Sequence, residues 1–172
     1  MKRAEYQENN PQVESGWNPE VVQREDVPEI VSLLASSAPE TIPLSAEDVG
    51  ERLADFVVLR SSQEEHTGQV IAVAALSHID RQIAELSSVA VRTEYRGQGL
   101  GRQVVSRALL KWNQTLDRGQ GIVCFTYRPG FFAGLGFEPF TADDLPQKKD
   151  RPQTYRGQPR RAMKWRMSEV RA

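Results

Sequence analysis

The stretch VAVRTEYRGQGLGRQVVSRALLKW, residues 89–112, decides the fold. It opens with apolar and polar residues in alternation, turns through Gly97, Gly99 and Gly101, and resumes with Leu100, Val104, Val105, Ala108, Leu109 and Trp112 at helical steps. The first part has the period of a strand, the second that of an amphipathic helix. A strand running through glycines into a helix frees several backbone N–H groups at the helix start, aimed into one concavity and reinforced by the helix dipole. Such a turn suits a phosphate. The plain alternative is a tight turn whose glycines serve sterics alone.

Spacing separates the phosphate-binding turns. A P-loop carries Lys and then Ser or Thr after its last glycine, whereas Gly101 is followed by Arg102 and Gln103. A dinucleotide fold needs G-x-G-x-x-G and an acidic residue ending the next strand. Here the glycines run G-x-G-x-G, and the next strand ends at Tyr127.

Outward from this stretch the elements follow by period and turn chemistry. In REDVPEIVSLLASSAPE, Asp26 can cap, Pro28 suits a first helical turn, and Ile30, Val31, Leu33 and Leu34 form one apolar face. Ser45 with Asp48 makes a capping-box start for a short second helix whose buried stripe is Val49 and Leu53. DFVVLRSS and QVIAVAALSHI, separated by the turn-prone QEEHTG, predict a hairpin, and QIAELSSVAV a third strand after a polar corner at Asp80 and Arg81. The long helix is expected from Gly99 to Leu116. GIVCFTY reads as a strand covered on both faces, GFFAGLGFEPF as a brief helix and a turn into another strand, and RAMKWRM as the last strand.

Composition limits the function classes. The 172 residues allow one domain with a full core; residues 1–16 are polar and read as a flexible leader, leaving 17–172 as the folded unit. Lys and Arg number 22 against 23 Asp and Glu, so no overall field draws nucleic acid or an acidic membrane, and any anion site must be local. No apolar run approaches the roughly 18 residues of a membrane span, and the first residues lack the apolar core of a secretion signal. The expected location is the cytoplasm. The single Cys124 permits no intrachain disulfide, and His66 and His78 lack metal-ligand spacing, so no metal site is expected.

YRGQGLG after SSVAV, preceded by AEL and followed at a distance by FFAGLGF, resembles the acetyl-CoA-binding core of the GNAT superfamily of N-acetyltransferases, whose signature is R/Q-x-x-G-x-G/A. Arg96, Gly99 and Gly101 hold its fixed positions, and strand, loop, helix, strand and phenylalanine-rich segment arrive in family order across residues 20–168. The resemblance implies an α/β fold: a mixed, splayed sheet of about six to seven strands flanked by about four helices, opening after residue 91. It implies that acetyl-CoA lays its pyrophosphate on the backbone of Arg96, Gly97, Gln98, Gly99, Leu100 and Gly101, next to Arg102. Ser88, Val89, Ala90 and Val91 would pair with the pantetheine amides, and Phe132 would flank the cofactor.

The distal part resembles the N-acetylglutamate synthase type within that superfamily. It carries Phe131, Phe132, Gly136 and Phe137, then the Leu145–Pro146 pair, Tyr155, and the arginines Arg160 and Arg161 at the entry to the last strand. IPLSAEDVGERLADFVV resembles that type's L-P-R-S-x-x-E segment. Two positions depart from it: Leu44 stands where the family has arginine, and Ala162 where it has serine after the arginine pair. The resemblance therefore implies an amine acceptor with a carboxylate read by Arg160 or Arg161, whose planar forks donate two parallel hydrogen bonds, without specifying glutamate. A solvated basic edge strand is the alternative for these two.

Acetyl transfer needs a neutral amine, and one with pKa near about 10 is almost wholly protonated at neutral pH, so a general base contributes roughly 10² to 10⁴ in rate. Glu85, in AEL, holds the position at which many members of the superfamily place a catalytic glutamate; the alternative is an outward strand residue paired with solvent or Arg81. The bulge that the resemblance implies in this strand would offer a backbone N–H near Val89 to the developing oxyanion. Tyr127 is the nearest candidate acid, or else a packed strand-end aromatic; Cys124 reads as a small core residue, Trp112 as core, and His78 as a turn histidine. The reading that follows is direct transfer to the amine of a small molecule, most plausibly an amino acid. A protein N-terminus or lysine, an antibiotic amine, or silent acyl-CoA binding are the alternatives. It invokes no nucleic acid or membrane partner and leaves room for a homodimer.

Overall fold

The computed structural model describes residues 21–38, 40–113, 121–141, 154, 155 and 157–165. Helix α1 (Val27–Ser36) buries Ile30, Leu33 and Leu34, one stripe at helical spacing, each contributing about 1.5–3 kcal/mol by leaving water. Asp26 does not cap it. Its carboxylate instead accepts from the Gln23 N–H at 2.7 Å and from both terminal nitrogens of Arg60 at 2.7 and 2.6 Å, tying the start of α1 to the end of strand β1 (Phe56–Arg60). Helix α2 (Ala46–Glu51) opens on the expected capping box: the Asp48 N–H donates to Ser45 Oγ at 3.0 Å, and the Ser45 N–H to Asp48 Oδ2 at 3.1 Å.

Strand β2 (Val70–His78) pairs antiparallel with β1 and with β3 (Ile83–Val91). At the corner between them Asp80 Oδ1 accepts the Gln82 and Ile83 N–H groups at 2.7 and 2.8 Å. Helix α3 (Leu100–Asn113) then leads to β4 (Gly121–Thr126), parallel to β3; the expected last turn, to Leu116, lies outside the described residues. After α4 (Pro129–Ala133) come β5 (Phe137–Pro139), the small pair β6 (Thr154–Tyr155) and β7 (Gln158–Pro159), and β8 (Arg161–Trp165). The main sheet has six strands in the order β1-β2-β3-β4-β8-β5, mixed in direction, and the β6–β7 ribbon stands apart from it. In the sequence that ribbon falls within a polar stretch with no alternating apolar run to announce it.

β2 does not alternate because both its faces are covered. Ala72, Ala74 and Leu76 join the apolar cluster under α3 with Val104, Val105 and Ala108. Val73 and Ala75 join the opposite cluster with Ile30, Leu33 and Val49. Two-sided burial makes the run continuous in apolar residues. Among the described residues no helix is long and apolar enough to cross a membrane.

The sheet opens earlier than expected. β3 and β4 share only the rungs Ile83–Gly121, Ala84–Ile122 and Glu85–Val123, so the strands part from residue 86 and not after 91. The cause lies just beyond. Ser87 faces Ala75 and Ala90 faces Val73, so β3 spends one residue more than β2 over the same length. This is a β-bulge at Ser88, which has φ +55 and is the non-glycine residue with positive φ among the described ones. A bulge bends its strand and sharpens its twist, here carrying the end of β3 away from β4.

Candidate active site

The turn between β3 and α3 is built by glycines for two different reasons. Gly97 and Gly99 both have φ +79, with nothing within 4 Å of where a Cβ would stand, so backbone handedness and not space demands glycine. Gly101 is helical, and a Cβ there would lie 3.3 Å from Cζ of Phe131. The first bond of the helix runs from the Gln103 N–H to the Gly99 carbonyl at 3.1 Å, which leaves the N–H groups of Leu100, Gly101 and Arg102 facing outward. Arg96 Nε donates to the Val91 carbonyl at 3.0 Å and pins the turn to the end of β3.

Where β3 and β4 part, a cleft of 460 Å³ runs between them. Of the residues singled out from the sequence, Ser88, Val89, Ala90 and Val91, then Arg96, Gly97, Gly99, Leu100, Gly101 and Arg102, and finally Tyr127 and Phe132 line it. Gln98, Glu85, Arg160 and Arg161 are not on its wall. The cleft passes from one face of the sheet to the other. Leu86, Cys124 and Phe132 on its wall belong to the α3-side core, whereas Ala90 belongs to the α1-side core.

Glu85 lies one residue before the opening, 2% exposed, between Ser77 of β2 and Val123 of β4. Its neighbours in sequence, Ala84 and Leu86, pack under α3, so its side chain lies on the α1 face. Burial pushes the Cys124 thiol far above the ordinary thiol range, and the nearby Glu85 carboxylate pushes it further. Cys124 lines the cleft but stays a protonated thiol, a poor nucleophile, in keeping with its reading as a core residue. Tyr127 is 6% exposed at the end of β4, beside Thr126, whose hydroxyl accepts the Arg128 N–H at 2.9 Å.

The arginine pair is split by the strand that carries it. Across from β4, Met163 faces Cys124, Ala162 faces Phe125 and Arg161 faces Thr126. Met163 is in the α3-side core, so Arg161 shares that face and Arg160 and Ala162 share the other. The Arg160 guanidinium sits 5.5 Å from the centroid of Phe125, which lines the cleft, and its buried Nη1 has no hydrogen-bond partner among the described residues. Arg161 is exposed on the far face.

Sequence reasoning missed the wall supplied by the α1–α2 connection. Ser37 and Glu40 line the cleft there, and Glu40 Oε1 is 2.6 Å from Arg128 Nη2 on the opposite wall. The partners are 88 residues apart, and no local pattern announces the pair. Leu44 packs against the α1-side core. His78 lays its ring 4.6 Å from Trp112, which is 9% exposed. Leu145 and Pro146 lie outside the described residues.

Residues 52–139, about half of the chain, match the family model described as an acetyltransferase (GNAT) domain. An uncharacterized N-acetyltransferase of Chlorobaculum tepidum is 30% identical over 104 residues, 60% of this chain and 63% of the relative. An amino-acid acetyltransferase of Pseudomonas fluorescens is 33% identical over 113 residues, 60% of this chain and 25% of that protein. The matched segments thus span less than two thirds of these curated relatives. Among solved structures, a Mycobacterium tuberculosis protein in complex with CoA superposes with TM-score 0.70 at 19% identity, covering 87% of this chain and 99% of that one. N-acetylglutamate synthase of Neisseria gonorrhoeae, complexed with coenzyme A and N-acetyl-glutamate, gives 0.69 at 18%, covering 87% and 34%.

Proposed function

Because this chain belongs to the acetyltransferase (GNAT) domain family, we propose that it moves an acetyl group from acetyl-CoA directly to the amine of an amino acid or close analogue. The observation that carries the reading is the cleft that crosses the sheet, with the glycine turn on one face and Phe125 and Ser37 toward the other, Arg160 lying behind that wall against the Phe125 ring. Donor and acceptor can then meet within the opening from opposite sides.

The residues present fit a nucleotide thioester. The outward N–H groups of Leu100, Gly101 and Arg102, and the left-handed Gly97 and Gly99, form a concavity for a diphosphate. Beyond Glu85 no described strand pairs with the β4-facing edge of β3, which leaves backbone groups of Leu86–Val91 for pantetheine amides. When bound, acetyl-CoA supplies the activated acyl group and a thiolate leaving group. Glu85, beside the cleft floor, takes the proton of the attacking amine directly or through water. The N–H near Val89 holds the developing oxyanion, and Tyr127 returns a proton to sulfur.

Arg160 is the arginine that reads an acceptor carboxylate. It lies on the acceptor face, and its buried Nη1 is uncommitted, whereas Arg161 lies on the other side of β8. The amino-acid acetyltransferase relative supports this substrate class. Leu44, committed to apolar packing, and Ala162 offer no polar group to a second carboxylate, which argues against glutamate as the acceptor.

Two measurements test the reading: calorimetry with acetyl-CoA, and transfer of labelled acetyl groups to amino acids, peptides and aminoglycosides. Binding is expected, with turnover of amino acids whose KM rises about ten-fold in Arg160→Ala and holds in Arg161→Ala. Turnover of peptides or aminoglycosides alone would move the acceptor class, and binding without turnover of any amine would make the chain an acyl-CoA-binding module.

A further inference from the structure

We propose that Ser87 is a positioning residue for the transfer: its hydroxyl holds the water through which Glu85 takes the proton of the attacking amine. This rests on the acetyl-transfer reading above and narrows it to a relayed proton.

Glu85 is set back from the place where an amine can stand. It is 2% exposed on the last rung shared by β3 and β4, Glu85–Val123, and it is not on the cleft wall. An amine in the opening lies beyond that rung, so its proton has a gap to cross. Ser87 stands at the near end of that gap. It faces Ala75, which packs in the α1-side cluster, so Ser87 shares the face of Glu85, two residues further along β3.

The hydroxyl is available to a water. Ser87 is half-buried on the cleft wall, and its Oγ is neither enclosed nor hydrogen-bonded among the described residues. Across the opening, Phe125 of β4 shares that face, because Cys124 before it packs under α3, and Phe125 carries no polar group. Two residues of strand span about 7 Å, of which a glutamate side chain covers part and one water, with hydrogen bonds of about 2.8 Å, the rest. A hydroxyl both donates and accepts, so it fixes such a water while leaving it free to pass a proton. The ammonium gives a proton to the water, the water gives one to the Glu85 carboxylate, and the neutral amine attacks the thioester. After the product leaves, the carboxyl returns its proton to solvent by the same route.

The test compares wild type, Ser87→Ala, Ser87→Thr, Glu85→Gln and the Ser87→Ala/Glu85→Gln double variant, with acetyl-CoA and the L-amino acid turned over fastest in the transfer screen. In Ser87→Ala kcat is expected to fall about ten-fold at neutral pH, with the amino-acid KM and acetyl-CoA affinity held. The deficit should shrink as pH rises toward the amine's own pKa, and Ser87→Thr, which keeps a hydroxyl, should restore most of the rate. The double variant should be no slower than Glu85→Gln alone, since a residue acting only through Glu85 adds nothing once that base is gone. A raised amino-acid KM with kcat held, a pH-independent deficit, or losses that multiply in the double variant would overturn the assignment. Absence of acetyl-CoA binding or amino-acid turnover by wild type is a different result: it would overturn the acetyl-transfer reading, and this assignment with it.

Discussion

Gly101 of α3 and Phe131 of α4 touch so closely that a Cβ on the glycine would stand 3.3 Å from the ring's Cζ. Phe131 in turn meets Phe132 edge-on at 5.0 Å, and Phe132 meets Phe137 at 5.5 Å. The glycine turn is thus backed by an aromatic stack that runs from the cleft into the core under β5.

This contact makes the two glycines separable. Gly101→Ala pushes the Phe131 ring, so acetyl-CoA should bind more weakly, and adding Phe131→Ala should recover part of the loss. Gly99→Ala meets no atom but must hold φ +79, at about 1–2 kcal/mol, and the same second substitution should not rescue it. Calorimetry and chemical denaturation of the two double variants read the difference.

Ser88 occupies left-handed backbone at φ +55 without being glycine. Ser88→Gly should leave stability equal or raised, while Ser88→Val, β-branched at a positive φ, should lose at least about 1 kcal/mol in urea unfolding. A Val variant as stable as wild type would mean that the bulge is not strained.

Glu85→Gln keeps the shape of a 2% exposed side chain. Turnover at neutral pH should fall by roughly 10² to 10⁴ with acetyl-CoA affinity retained. The deficit should shrink as pH climbs toward the amine's own pKa of about 10, where the acceptor deprotonates unaided. A pH-independent deficit would assign Glu85 to structure alone.

Asp26 sets an acid limit to stability. Burial alone would raise its carboxyl, but the Arg60 guanidinium and the Gln23 N–H override that and hold it below the ordinary 3.8. A folded-state value below the unfolded one stabilises the fold fully above 3.8, and that contribution is lost as pH falls through the lower folded value. Asp26→Asn should cost about 3 kcal/mol at neutral pH and flatten the stability profile below about pH 4. Urea unfolding across that range measures both effects.

What the sequence determined by itself was local. Glycine spacing after an alternating run announced the turn, the apolar steps announced α3, and Ser45 with Asp48 announced the start of α2, because each depends on residues within a few positions of one another. Tertiary structure decided the rest. Asp26 left its helix for Arg60, 34 residues away; the sheet opened at residue 86; Glu40 met Arg128; and Ser37 came to line the cleft. The arginine pair shows why. Alternation says that Arg160 and Arg161 face opposite ways, but which one lies on the face of Phe125 depends on the register of β8 against Cys124 and Phe125, and a slip of one residue would exchange them. Register and bulges follow from pairing between distant segments, and no short stretch of chain contains both partners.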